Sequence, residues 1–111
     1  MIKPSALWAA LLLFQGLIPC AGAAPSAHVI TIDSMRFQPE SLVVRPGDRV
    51  TWVNKDLVPH TATQGEFDSG NIKPTGTWTF VPRKPGAYHY ICTYHPLMKG
   101  VLIVKEKGDS P

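Results

Sequence analysis

Gly86-Ala87-Tyr88-His89-Tyr90-Ile91-Cys92-Thr93-Tyr94-His95-Pro96-Leu97-Met98-Lys99 carries both a strand and a site. Its first half alternates, so Tyr88, Tyr90 and Cys92 share one face of a strand and His89 falls on the other. A thiol, an imidazole and a thioether then recur at three-residue steps, at Cys92, His95 and Met98. Lys99 to Lys105, with Val101, Leu102, Ile103 and Val104, reads as the next strand. His95 and Met98 therefore belong to one short loop at one end of the domain, stiffened by Pro96. A second imidazole, His60, lies upstream in Val58-Pro59-His60-Thr61 and opens an extended piece of its own. One thiolate and two imidazoles with a weak thioether is the ligand set of an electron-transfer copper centre.

The rest of the chain reads as a scaffold for that loop. His28 to Ile32 alternates and is rich in Val and Ile; His28 reads as an exposed strand residue. Met35 to Gln38 is a short extended piece with Phe37 inward and Met35 as gap-filling core. Pro39 ends its pairing, because proline lacks an N–H. Ser41 to Arg45 is a strand and Pro46-Gly47-Asp48 a turn. Arg49 to Asn54 follows, with Val50, Trp52 and Asn54 on one face and Trp52 in the core. Gln64 to Gly76, with four Gly or Pro residues, reads as the loosest segment, and Glu66 and Asp68 there as solvated loop carboxylates. Thr77 to Val81 is a further strand. Several short strands separated by turn signals, with no amphipathic helix, predict an all-β Greek-key β-sandwich.

The first 23 residues read differently. Lys3 precedes an apolar run from Ala6 to Ile18, and Ala21-Gly22-Ala23 supplies small residues before a cleavage point. This is the pattern of a secretory signal peptide, too short for a membrane span. Residues 1–23 are expected to be removed and 24–111 to form the copper-binding domain, in the periplasm. Leu17-Ile18-Pro19-Cys20 also resembles a lipobox, which gives lipid anchoring at Cys20 as the alternative localisation. With Cys20 lost, Cys92 stands alone in an oxidising compartment, beside His95, as a ligand rather than half of a disulfide.

The formal net charge is +3 over 111 residues. No Lys/Arg block points to nucleic acid, and no Gly-rich phosphate loop is present. A monomer is expected.

Val58-Pro59-His60, the Gly86-x-Tyr88-x-Tyr90-x-Cys92 strand and Cys92-x-x-His95-x-x-Met98 resemble the cupredoxins, the small blue copper proteins. The short loop spacing is most similar to the amicyanin and plastocyanin group, and the resemblance spans roughly His28 to Lys105. It implies that His60, Cys92 and His95 form a trigonal plane around one type 1 copper, with Met98 as the long axial ligand. Two positions depart from the group. Thr61 stands where those proteins carry Asn, and Tyr94 where amicyanin often has Pro. The Thr61 N–H is expected to approach the Cys92 sulfur and its hydroxyl to support the ligands.

Three functions follow from that resemblance. The first is a one-electron carrier. It would meet a cytochrome, a quinoprotein dehydrogenase or a terminal reductase at an apolar patch of Leu57, Pro59, Pro96 and Leu97 around His95. Lys55, Lys73 and Lys99 would form a basic rim. The second is copper handling or resistance without a carrier role. The third is an enzyme, which needs further copper centres and hence further histidines. Only His28 and His89 remain for those, neither suitably placed, so the chain reads as no enzyme.

Overall fold

The computed structural model describes residues 24–106. The signal segment, its cleavage point, Cys20 and the polar tail from Lys107 lie outside the described residues.

The described chain is built from nine strands and no helix: β1 (Ala27–Asp33), β2 (Arg36–Gln38), β3 (Ser41–Val44), β4 (Arg49–Asn54), β5 (Thr63–Gln64), β6 (Phe67–Asp68), β7 (Thr77–Phe80), β8 (Gly86–Ile91) and β9 (Lys99–Val104). They form two sheets, ordered β2-β1-β4-β7 and β3-β9-β8-β5-β6. The β1–β4 and β3–β9 pairs are parallel and the others antiparallel. This is the expected β-sandwich. Alternation sets which side chains meet between the sheets. Ile30 and Ile32 of β1 and Val50, Trp52 and Asn54 of β4 face inward from one sheet. Tyr90 of β8 and Leu102 and Val104 of β9 face inward from the other.

Aromatic rings fill the centre. Trp52 lies edge-on to Tyr90, with ring centroids 5.5 Å apart, and tilted against Phe67 and Trp78. Phe37 meets Tyr90 edge-on at 4.8 Å. Such edge contacts suit the ring quadrupoles. Gly100 belongs to this packing. A Cβ there would stand 2.4 Å from the Tyr90 ring, so only glycine lets β9 pass beneath it.

The Pro46-Gly47 turn forms as expected, with Gly47 at φ +93° and its N–H donated to the Pro82 carbonyl. The buried Asp48 carboxylate then accepts the Ser26 and Arg45 N–H groups and pairs with His28 Nε2 at 2.9 Å. His28 is therefore half-buried and clasped rather than exposed, because β1 runs parallel to β4 and brings it beside this turn.

Three further expectations change. Gln64 to Gly76 is ordered: β5 and β6 make a tight hairpin, Phe67 and Ile72 enter the core, and Ile72 bridges to His60. Its glycines mark turns inside a built segment. His60 itself starts no strand. It makes that isolated bridge, and β5 begins at Thr63. Met35 is not core; it is 41% exposed in the β1–β2 turn. Both turn residues, Ser34 and Met35, have left-handed backbone, at φ 53° and 60°. That conformation turns Met35 out from the packed face.

Candidate metal centre

Three segments deliver the site to one end of the sandwich. β8 brings in Cys92, one residue past its end, buried on the same face as Tyr90. The loop after it closes on itself through backbone hydrogen bonds that join three of the predicted ligands. The His95 N–H donates to the Cys92 carbonyl, the Met98 N–H to the His95 carbonyl, and the Cys92 N–H to the Met98 carbonyl. Each residue thereby fixes the next, and Lys99 starts β9 immediately after.

His60 arrives from the other sheet. Its loop is held by Asn54, fully buried at the end of β4. The Asn54 amide donates to the Val58 and Ile72 carbonyls, both at 2.9 Å, and its oxygen accepts the Asp56 N–H. Ile72 in turn exchanges backbone hydrogen bonds with His60. A buried side chain that satisfies three backbone groups fixes the path of a segment that would otherwise be loose.

The donor atoms converge. His60 Nδ1 and His95 Nδ1 each lie 3.7 Å from Cys92 Sγ, and the three atoms fall within 4.8 Å of one another. His60 and Cys92 are fully buried, Met98 nearly so, and His95 half-buried. A metal–thiolate bond of about 2.3 Å and a metal–imidazole bond of about 2.0 Å, opened by about 120°, separate sulfur from nitrogen by about 3.7 Å. The residues present thus fit one soft transition-metal ion lying between them. Two imidazoles and a thiolate, with the Met98 thioether on the same loop, suit copper over harder cations.

An acid completes the cradle. Asp56 Oδ2 accepts His60 Nε2–H at 2.8 Å, and the same carboxylate accepts the N–H groups of Ser34 and Met35 at 2.7 and 3.0 Å. Burial raises the Asp56 pKa, but the Met35 N–H, the His60 ring and the Ser34 N–H outweigh it and hold the carboxyl below its ordinary value. An ionised acceptor on Nε2 keeps the proton there and leaves the Nδ1 lone pair aimed at the site. Nothing in the local sequence singled out Asp56. The only available signal was an acid four residues before a candidate ligand.

The cysteine sulfur is also held. The Thr61 N–H points at Cys92 Sγ from 3.4 Å, as expected, and the Thr61 hydroxyl accepts the Thr93 N–H at 2.8 Å. The hydroxyls of Thr61, Thr63 and Thr93 lie within 2.8 to 3.1 Å of one another in a closed triangle. Thr63 and Thr93 were not foreseen. Tyr94 reaches out from the ligand loop and donates its hydroxyl to Asn71 Oδ1.

His95 opens onto a surface groove of about 440 Å³, lined also by Met35, Tyr94, Pro96, Leu97 and Met98. Leu97 is 90% exposed beside it, and Leu57, on the His60 loop, is 93% exposed. His28 and His89 take no part: the first pairs with Asp48, the second is exposed on β8.

Known proteins are similar to this chain in sequence and fold. The Cupredoxin-like domain family matches residues 5–104. Amicyanin-alpha of Methylorubrum extorquens is 29% identical over 101 residues, covering 84% of this chain and 85% of that protein. An oxidised-state structure of an amicyanin mutant superposes with a TM-score of 0.69 at 31% identity, covering 75% of this chain and 86% of that one. A copper-containing nitrite reductase from Thermus scotoductus gives a TM-score of 0.69 at 25% identity, but the likeness takes in only 25% of that chain. By the extent of the family match and the fold, the chain belongs to the cupredoxin-like family, in the neighbourhood of amicyanin.

Proposed function

We propose that the chain is a periplasmic one-electron carrier, with a single blue copper held by His60, Cys92 and His95 and capped by Met98. When bound, the metal supplies the Cu(II)/Cu(I) couple. The protein supplies everything that keeps that couple fast. The observation that carries this reading is the symmetric approach of both Nδ1 atoms to Cys92 Sγ at 3.7 Å, inside a cradle whose members are individually tied down. Asp56 fixes the His60 ring, Thr61 the thiolate, and three backbone hydrogen bonds the loop. Ligands held this firmly move little between oxidation states, so the reorganisation cost is small. Cys92 binds as thiolate, and its proton is released on loading.

His95 is the one ring of the set that reaches the surface, and it offers the electron its exit. The exposed Leu57 and Leu97, with Pro59 and Pro96, give a redox partner an apolar face on which to approach it closely. The partner is a cytochrome, a quinoprotein dehydrogenase or a terminal reductase. A carrier is favoured over an enzyme because the likeness to nitrite reductase is confined to a quarter of that protein. His28 and His89 also stand away from the site. Export rests on the signal pattern of residues 1–23.

The test is optical. Loading with Cu(II) should give an intense blue thiolate-to-copper band that ascorbate bleaches and an oxidant restores. A copper-loaded protein without that band contradicts the proposal.

A further inference from the structure

We propose that Met35 is a Cu(I)-loading residue, the first protein ligand met by the ion on its way to the buried site. This rests on the copper reading above. His60, Cys92 and Met98 are at most 5% exposed, so an incoming ion reaches them past the half-buried His95. Of the residues that share His95's groove, Pro96 and Leu97 carry no side-chain donor, and Tyr94 turns its hydroxyl to Asn71. That leaves the thioethers of Met35 and Met98, and only Met35 is exposed.

Its placement is built. Left-handed backbone is costly for any residue but glycine, and here two neighbours, Ser34 and Met35, both adopt it. The Asp56 carboxylate holds the turn in that shape by accepting both N–H groups, while orienting His60 with the same oxygens. The strained turn and the metal cradle are thus one assembly, and it sets a soft sulfur at the mouth of the site. A thioether selects Cu(I) over Cu(II). In the step proposed, Met35 sulfur and His95 take Cu(I) from its carrier. Cys92 then bonds to the ion, giving up its thiol proton to water, as the Met35 sulfur lets go. No electron is transferred.

The test uses apoprotein and two probes: Cu(I) as its bicinchoninate complex under argon, followed by loss of the chelate colour, and aqueous Cu(II), followed by the blue band. Met35→Leu keeps the side chain's bulk without its donor. It should slow Cu(I) uptake about tenfold, equal to about 1.4 kcal/mol of barrier. Cu(II) uptake and the final spectrum should stay at wild-type values. Met35→Gly, which suits the left-handed turn, should show the same selective loss. An unchanged Cu(I) rate in either variant, or equal slowing of both ions, overturns the proposal while the carrier reading stands. A wild-type protein that never turns blue overturns both.

Discussion

The backbone N–H of Thr61 points at the Cys92 sulfur across 3.4 Å, from the residue that immediately follows His60. The Thr61 hydroxyl accepts the Thr93 N–H and so ties the His60 and Cys92 segments together. Thr61→Val keeps the side chain's shape and the backbone donor but leaves the Thr93 N–H without its acceptor. The expected cost is about 1–2 kcal/mol of stability, read from denaturant melts. An N–H aimed at the thiolate favours the reduced site, so loosening that contact should also lower the reduction potential, read by voltammetry. A potential that does not move while stability falls would make the hydroxyl a purely structural tie.

Much of this was legible in the sequence, for a physical reason. Ligand chemistry resides in residue identity, so Cys92 with His95 and Met98 at three-residue steps announces itself. Strands β1, β4 and β8 were legible because alternation is a local pattern, and β9 because its apolar run is. The supports were not. Asp56, Asn54, Thr63 and Thr93 act through hydrogen bonds to segments distant in sequence, which leave no periodicity behind. The β5–β6 hairpin was hidden because its strands are two residues each, too short to alternate, and its turn glycines read as looseness. Met35 was misread because a methionine beside a strand is ordinarily core. Only the turn's left-handed backbone, set by Asp56, sends it outward.

Removing the acid isolates what it does for the metal. Asp56→Ala deletes the acceptor of His60 Nε2 and of two turn N–H groups. The His60 ring is then free to rotate and to place its proton on Nδ1. Copper affinity should fall by about 10–100-fold, the usual cost of losing a partner that orients a ligating histidine. Competition against a chelator of known affinity measures it. An affinity within twofold of wild type would show that packing alone orients the ring.

At the turn that follows β3, Asp48 makes stability depend on acidity. Burial raises its pKa, but the Ser26 N–H, His28 and the Arg45 N–H together bring it below the ordinary value. A carboxyl depressed in the folded state adds stability that is complete above its unfolded value of about 3.9. That contribution is lost as pH falls through the lower folded value. Asp48→Asn should therefore destabilise the copper-free protein most at neutral pH, and the gap from wild type should close below about pH 4. Urea melts across pH 3 to 7 check the trend. A gap that stays constant down to pH 3 would mean that the carboxylate's charge plays no part.

Beneath the site, the core leaves no room for a side chain at one position of β9. Gly100 lies under Tyr90, and a Cβ there would fall 2.4 Å from the ring's Cζ and hydroxyl oxygen. Phe37 and Trp52 also pack edge-on against Tyr90 and restrict its freedom to withdraw. Burial pushes its phenol up to about 12 against the lowering pull of the neighbouring Trp52 side chain, so the hydroxyl stays neutral; neither it nor Trp52 Nε1, both buried, has a partner at hydrogen-bond geometry. Gly100→Ala should cost about 1–3 kcal/mol by overpacking. Tyr90→Phe removes the hydroxyl that the new methyl would strike, and leaves the buried Trp52 Nε1 without a partner, as it already is. The double variant should then recover part of the loss, giving a non-additive cycle, as expected for residues in contact. The copper band offers a second readout, since Tyr90 stands two residues before Cys92 on the same strand face. If the ring is what strand β8 uses to set the cysteine, Gly100→Ala should shift that band and the double variant should return it. Strictly additive stabilities with an unmoved band would show that β9 absorbs the methyl by shifting its own backbone.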